Sequence, residues 1–194
     1  MSEKRKRLSR KESQEQTRQR LLDAAVTVFA EKGFSRARLD EVAEHAGYSK
    51  GAVYSNFKSK EDLALAVLDQ HREQQLKAIA NQVLTHGNNK QFWIERAQTG
   101  SQSSDLLSIE LWVQAQHNEA LRERMVERNR QANNTIAKIL SAEDEPSAKH
   151  YDFVNLIGAL STGLAIRYAL DPDPNLIELW STIATKLYRE VQDE

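Results

Sequence analysis

Apolar residues recur along most of this chain at intervals of three and four, the spacing of helices that bury one face. Leu21, Ala25, Val28 and Phe29 form the first such stripe, and Gly33 closes it. Leu39, Val42, Ala43 and Ala46 stand at i, i+3, i+4 and i+7, which predicts a short helix ended by Gly47. Ser49 is the expected N-cap of a second short helix, whose apolar side is Val53 and Phe57. Ser59 followed by an acid at Asp62 has the form of a capping box. The long helix it opens carries Leu63, Ala64, Val67, Leu68, Ile79 and Val83, until His86-Gly87-Asn88-Asn89 breaks it. Phe92-Trp93-Ile94 predicts a short helix, and Leu106, Ile109 and Val113 another that carries Trp112. From about Glu119 a long amphipathic helix runs through Met125, Ala132, Ile136 and Ile139.

The last two helices are patterned differently. From Ser147 to Leu170 the chain is apolar nearly all round, through Phe153, Leu156, Ile157, Ala159, Leu160, Leu164 and Ile166. Such a helix has to be covered on more than one side. Asp171-Pro172-Asp173-Pro174 turns the chain, with Asp173 as N-cap and Pro174 at the first helical position. The final helix has Leu176, Trp180, Ile183 and Leu187 on one stripe and Ile177, Ala184 and Val191 on its neighbour. Gly158, Ala159, Ser161, Thr162 and Gly163 are small enough to admit a close helix, from the same subunit or from another chain. A membrane span is the competing explanation, but Asn155 and Arg167 cut the apolar run short of the ~20 residues a bilayer needs. Strand-type alternation between hairpin turns is nearly absent, so the expected fold class is all-α.

The 194 residues are 40% apolar, ample for a core, and seven Gly with three Pro leave little irregular structure. Cysteine is absent, which excludes disulfides, thiolate redox sensing and cysteine–zinc sites. The charged N-terminus lacks an apolar signal segment, so a cytoplasmic protein is expected. Charge changes the picture most. Residues 1–60 hold 14 Lys/Arg against 8 Asp/Glu, a balance of +6, while residues 61–194 hold 13 against 20, a balance of −7. A basic head on an acidic body points to a polyanionic partner for the head alone. Lys4-Arg5-Lys6-Arg7 with Arg10-Lys11 reads as a disordered arm that reaches along a duplex or into its minor groove.

The two short helices supply the matching chemistry. Lys50, Gly51, Tyr54 and Ser55 occupy i, i+1, i+4 and i+5, opposite Val53 and Phe57. The pair reads as a helix-turn-helix whose second helix enters a DNA major groove. Lys50 and Ser55 are candidates for base edges, since lysine donates to guanine O6 and N7. Gly51 lets the backbone approach the duplex. Asn56, at the edge of the face, either contacts a phosphate or caps locally. Lys60, in the first turn of a helix, suits a bound phosphate; the alternative is a solvated lysine offset by Glu61 and Asp62. No enzymatic constellation emerges: the five histidines make no i, i+4 pair, and no nucleophile elbow or phosphate-binding loop is present. No cofactor or metal is expected.

Gly33-Phe34, Val42-Ala43, Ala46-Gly47, Tyr54, Phe57, Lys60 and Leu63 fall at the motif positions of the TetR family of bacterial transcriptional regulators, which the segment from about 13 to 68 resembles. Two departures are Ala37-Arg38, where the family usually has threonines, and Tyr48, where valine is common. The resemblance implies an N-terminal three-helix helix-turn-helix domain, here residues 1–58 with the basic arm. It also implies a C-terminal helical ligand-binding and dimerisation domain, residues 59–194. The implied DNA-binding set is Arg38, Ser49, Lys50, Gly51, Tyr54, Ser55, Asn56 and Lys60, with the Tyr54 hydroxyl on a phosphate. Family members dimerise through their last two helices as a four-helix bundle, which assigns Leu156, Ala159, Leu160, Gly163, Leu164, Trp180, Ile183 and Leu187 to the interface. A pocket for an apolar or aromatic small molecule is expected among Phe92, Trp93, Trp112, Gln116, His117, Asn133, Tyr151 and Asn155. The implied function is a ligand-responsive repressor, a homodimer on a palindromic operator in double-stranded DNA, with no membrane partner. An activator or ligand-independent regulator is the alternative within the class. A helical ligand-binding or scaffold protein with a basic head is the alternative outside it.

Overall fold

The computed structural model describes residues 9–86, 90–91, 93–94, 102–141 and 145–192, and no strand occurs among them. The helices are α1 (Arg10–Arg36), α2 (Leu39–Ala46), α3 (Lys50–Asn56), α4 (Lys60–His86), α5 (Gln102–Ala115), α6 (Glu119–Ser141), α7 (Ala148–Leu170) and α8 (Pro174–Gln192). The chain divides into two compact units, Met1–Asp69 and Gln70–Glu194. That division falls inside α4 and not at the expected 58/59, because the opening turns of α4 belong to the first unit, where Leu63, Ala64, Val67 and Leu68 are buried.

In the first unit α1, α2 and α3 pack on one another. Ser9 caps α1 reciprocally: its Oγ accepts the Glu12 N–H at 3.2 Å, and Glu12 Oε2 accepts the Ser9 N–H at 2.7 Å. Arg10 and Lys11 therefore lie in the first turn of a helix and not in an arm; Lys4–Arg7 lie outside the described residues. Gly33, at φ 73 and ψ 160, breaks α1 where a side chain would be strained, and Phe34 turns in against Phe29 at 5.8 Å between ring centroids. Gly47, at φ 71 and ψ 31, is the left-handed cap of α2, and the Tyr48 N–H reaches back to Ala43 O at 2.9 Å. Val42, Val53 and Phe57 are buried, as their spacing predicts.

In the second unit α7 packs against α5, α6 and α8, and α5 also packs against α6. Its core gathers Ile79, Trp93, Leu140, Phe153, Ile157, Trp180 and Tyr188. Trp93 meets Phe153 and Trp180 edge-on at 6.0 and 5.4 Å, and the Tyr188 hydroxyl donates to Leu140 O at 3.2 Å. Trp180 is thus a core residue of its own subunit, which corrects its expected place in the dimer interface. The stripe turned inward on α8 is Ile177, Trp180, Ser181, Ala184 and Tyr188, with Leu179 and Ile183 outside. By length and composition α7 is apolar enough to cross a membrane, at a mean hydropathy of 1.4, so Asn155 and Arg167 do not shorten its run as expected. Only 17% of that apolar window is buried in its own chain.

Candidate functional site

The outer face of α3 is built by its ends. Ser49 Oγ accepts the Ala52 N–H at 3.3 Å and fixes the start of the helix. At the other end the Arg18 guanidinium sits 4.5 Å over the Phe57 ring and donates to Asn56 O at 3.3 Å, tying α3 to α1. With Val53 and Phe57 held inside, Lys50, Gly51, Tyr54 and Ser55 are all exposed, Tyr54 at 58%. Ser55 and its neighbour Asn56 are engaged locally: Ser55 Oγ and Asn56 Nδ2 both donate to Ala52 O, at 2.9 and 2.8 Å. Asn56 therefore caps its own helix.

Ala37 is buried, so only Arg38 of the pair that departs from the family motif is on the surface. Arg38 is the N-cap residue of α2, and its backbone N–H donates to Glu41 Oε2 at 3.0 Å. The hydrogen bond from Lys32 at 2.7 Å, and then this N–H, hold the Glu41 carboxyl below the usual carboxylate range. Asp40 pairs with Lys50 and lies 3.8 Å from Arg38.

Lys60 is placed otherwise than expected. Its ammonium donates to Phe34 O, Ser35 O and Ala37 O at 2.8, 3.2 and 3.1 Å, and lies 4.5 Å from the Phe34 ring centroid. An ammonium has three donors, so none is left over for a phosphate. Lys60 clasps the C-terminal end of α1. The structure adds residues that the apolar periodicity passed over. Arg10, Ser13, Gln14 and Thr17 of α1 line an open groove of about 360 Å³ with Ala52, Ser55 and Asn56 of α3. Their i, i+3, i+4, i+7 spacing is a polar stripe and was the available signal.

The second unit holds a cavity of about 110 Å³, lined by Ile79, Trp93, Asn133, Ile136, Leu140, Phe153, Val154, Ile157, Gly158 and Ser161. Of the expected pocket residues, Trp93 and Asn133 are on its wall, and Asn155 Oδ1 accepts from Asn133 Nδ2 at 2.7 Å. Tyr151 packs against the core beside it. Trp112, Gln116 and His117 do not line it: Gln116 and His117 are exposed beyond α5, and the Gln116 amide donates to Trp112 O at 3.4 Å. Phe92 lies outside the described residues. Half of the lining is aliphatic side chains that read only as core in the sequence.

A capped, exposed second helix set on a buried first one makes the N-terminal unit a helix-turn-helix domain of the DNA-binding class. Residues 21–67 match the bacterial regulatory proteins of the tetR family. The likeness to that family covers the helix-turn-helix segment of this chain. The chain is 38% identical over 77 residues to the HTH-type transcriptional activator FasR of Mycolicibacterium smegmatis, covering 40% of this chain and 35% of that one. It is 50% identical over 54 residues to the HTH-type transcriptional regulator SrpR of Pseudomonas putida, covering 28% of this chain and 25% of that one. The chain thus matches about a third of the length of the first relative and a quarter of the second. The crystal structure of the transcriptional regulator FadR from Bacillus subtilis, in complex with stearoyl-CoA, superposes with a TM-score of 0.66 at 21% identity. That superposition covers 88% of this chain and 96% of the other, and shows the same fold.

Proposed function

We propose that this chain is a repressor that binds a palindromic operator as a homodimer and releases it when a small apolar or aromatic molecule enters the C-terminal cavity. Gly51 carries the DNA-binding part of this reading. A glycine inside a helix costs ~1 kcal/mol relative to alanine. Gly51 has no positive φ, and a Cβ there would meet only Ser49 Oγ, at 3.7 Å. The domain itself gives no reason for glycine; a duplex pressing on α3 does. Gly51→Ala is expected to stabilise the domain by ~0.5–1 kcal/mol and to weaken DNA binding about tenfold, ~1.4 kcal/mol. Amide exchange and fluorescence anisotropy measure the two effects. A variant that binds as tightly as the parent would remove the close-approach argument.

Dimerisation is supported by α7 and α8. Leu156, Leu160, Ile166, Leu170, Leu179 and Ile183 are exposed in the single chain, and nothing lies within 4 Å of a Cβ placed at Gly158 or Gly163. Packing within the subunit therefore does not explain these glycines. Of the expected interface residues, Leu156, Ala159, Leu160, Gly163 and Ile183 are exposed on this face, and Leu164 and Leu187 are half-buried at its edge. In a dimer the two recognition helices must sit ~34 Å apart to enter successive major grooves, so a ligand favouring another spacing releases the operator. The cavity is below the ~300 Å³ of a drug-sized site, which favours a small ligand or one that displaces lining side chains.

Selection of DNA fragments by the purified protein is the primary test, and a palindrome is the expected product. Candidate apolar and aromatic metabolites are then titrated against the operator complex. Linkage requires bound operator to weaken the ligand by the factor that ligand weakens operator, ~5–150-fold. A ligand bound tightly in the cavity with no effect on operator affinity would remove the release mechanism and leave DNA binding intact. The likeness to the activator FasR favours a second reading, activation, and transcription in vitro from the selected site separates the two.

A further inference from the structure

We infer that Asp40 is a specificity-determining positioning residue: it aims the Lys50 ammonium at base edges and withholds it from the phosphate backbone. The inference rests on the DNA-binding reading above. Asp40 is the second residue of α2 and Lys50 the first of α3, so the pair bridges the two arms of the helix-turn-helix. The Lys50 ammonium donates to Asp40 Oδ2, and the same carboxylate oxygen lies 3.8 Å from Arg38 Nη2. Glu41 accepts the Arg38 N–H, so the capping box of α2 is complete without Asp40, whose carboxylate is turned to Lys50 and Arg38.

The charge pattern sharpens the point. The side chains of Arg38 and Lys50 are 73% and 67% exposed, and that of Asp40 is 29% exposed between them. A carboxylate on a surface that meets a polyanion opposes binding to every sequence alike. An acid in the first turn of α2 is favoured by the helix dipole; what sets Asp40 apart is that it also holds the Lys50 ammonium. A lysine carries three donors on a flexible stem, and a free one at the start of α3 would swing to the nearest phosphate, which carries no sequence information. With one donor held by Asp40, two remain, matching the O6 and N7 acceptors that one guanine presents in the major groove.

Asp40→Asn keeps the size and removes the charge. Its affinity for random duplex is expected to rise about threefold as the repulsion goes. Its preference for the favoured base at the Lys50 position is expected to fall about five- to tenfold, part of what a two-point contact supplies. Lys50→Met and the double variant complete the cycle: without Lys50, Asp40→Asn is expected to leave base preference unmoved. Asp40→Ser, equally tolerated in a first helical turn, is the second variant should asparagine disturb α2. Two results overturn the inference while the DNA-binding reading survives. One is an Asp40→Asn protein that selects the parental half-site with parental stringency. The other is the same loss of preference in the Lys50→Met background. A parent protein that selects no DNA overturns the underlying reading and the inference with it.

Discussion

Lys60→Met is expected to destabilise the N-terminal unit by ~2 kcal/mol while leaving the face of α3 chemically unchanged. Each hydrogen bond to a charged donor contributes ~1.5–3 kcal/mol. Water replaces part of that here, because the contact with Ser35 O is exposed while those with Phe34 O and Ala37 O are part-buried. Methionine keeps an unbranched apolar stem and removes both the donors and the cation over the Phe34 ring. The three carbonyls belong to the last turn and C-cap of α1, where a helix leaves carbonyls without intrahelical partners. Amide exchange across α1–α3 reads the loss directly, since all three tryptophans lie in the second unit and do not report on the first. Unchanged protection together with weaker operator binding would return Lys60 to the phosphate role its sequence position suggests.

Leu160→Glu is expected to weaken self-association at least a hundredfold, ~2.7 kcal/mol or more, because a carboxylate would have to be buried in an apolar interface. Gly163→Leu is the companion test. Its side chain would enter open space in the single chain, so the subunit should fold normally while the approach of a second α7 is blocked. Sedimentation at micromolar concentration is expected to give a dimer for the parent and monomers for both variants, with circular dichroism unchanged. A monomeric parent would end the dimer proposal and leave the apolar face of α7 to another partner.

What the sequence made legible was local. Gly47 and Ser49 announce a helix stop and start because a left-handed cap and an N-cap hydroxyl each restrict the residue types allowed there. Val53 and Phe57 follow from period alone. The carbonyl partners of Lys60 were not legible because they lie 23 to 26 residues away, and no helical period links them. Trp180 was misplaced because α8 carries two adjacent apolar stripes, and period does not say which one faces inward. The pocket was half legible: Trp93 and Asn133 stood out as an aromatic and an amide. Leu140, Val154 and Ile157 line the same cavity but look like any other core. Gln116 and His117 were drawn in by polarity and sit in solvent beyond the end of α5.

The engagement of several cations in the head by groups of the same domain changes what a duplex would encounter. Of its fourteen Lys/Arg, Lys32 and Lys50 are bound to carboxylates, Arg38 stands beside one, Arg18 lies over a ring, and Lys60 clasps three carbonyls. DNA affinity falls with added salt in proportion to the phosphates a protein neutralises, because each such contact frees condensed counterions. The formal charge of the head therefore overstates the number of ions released, and the complex should tolerate salt better than a basic surface of that count.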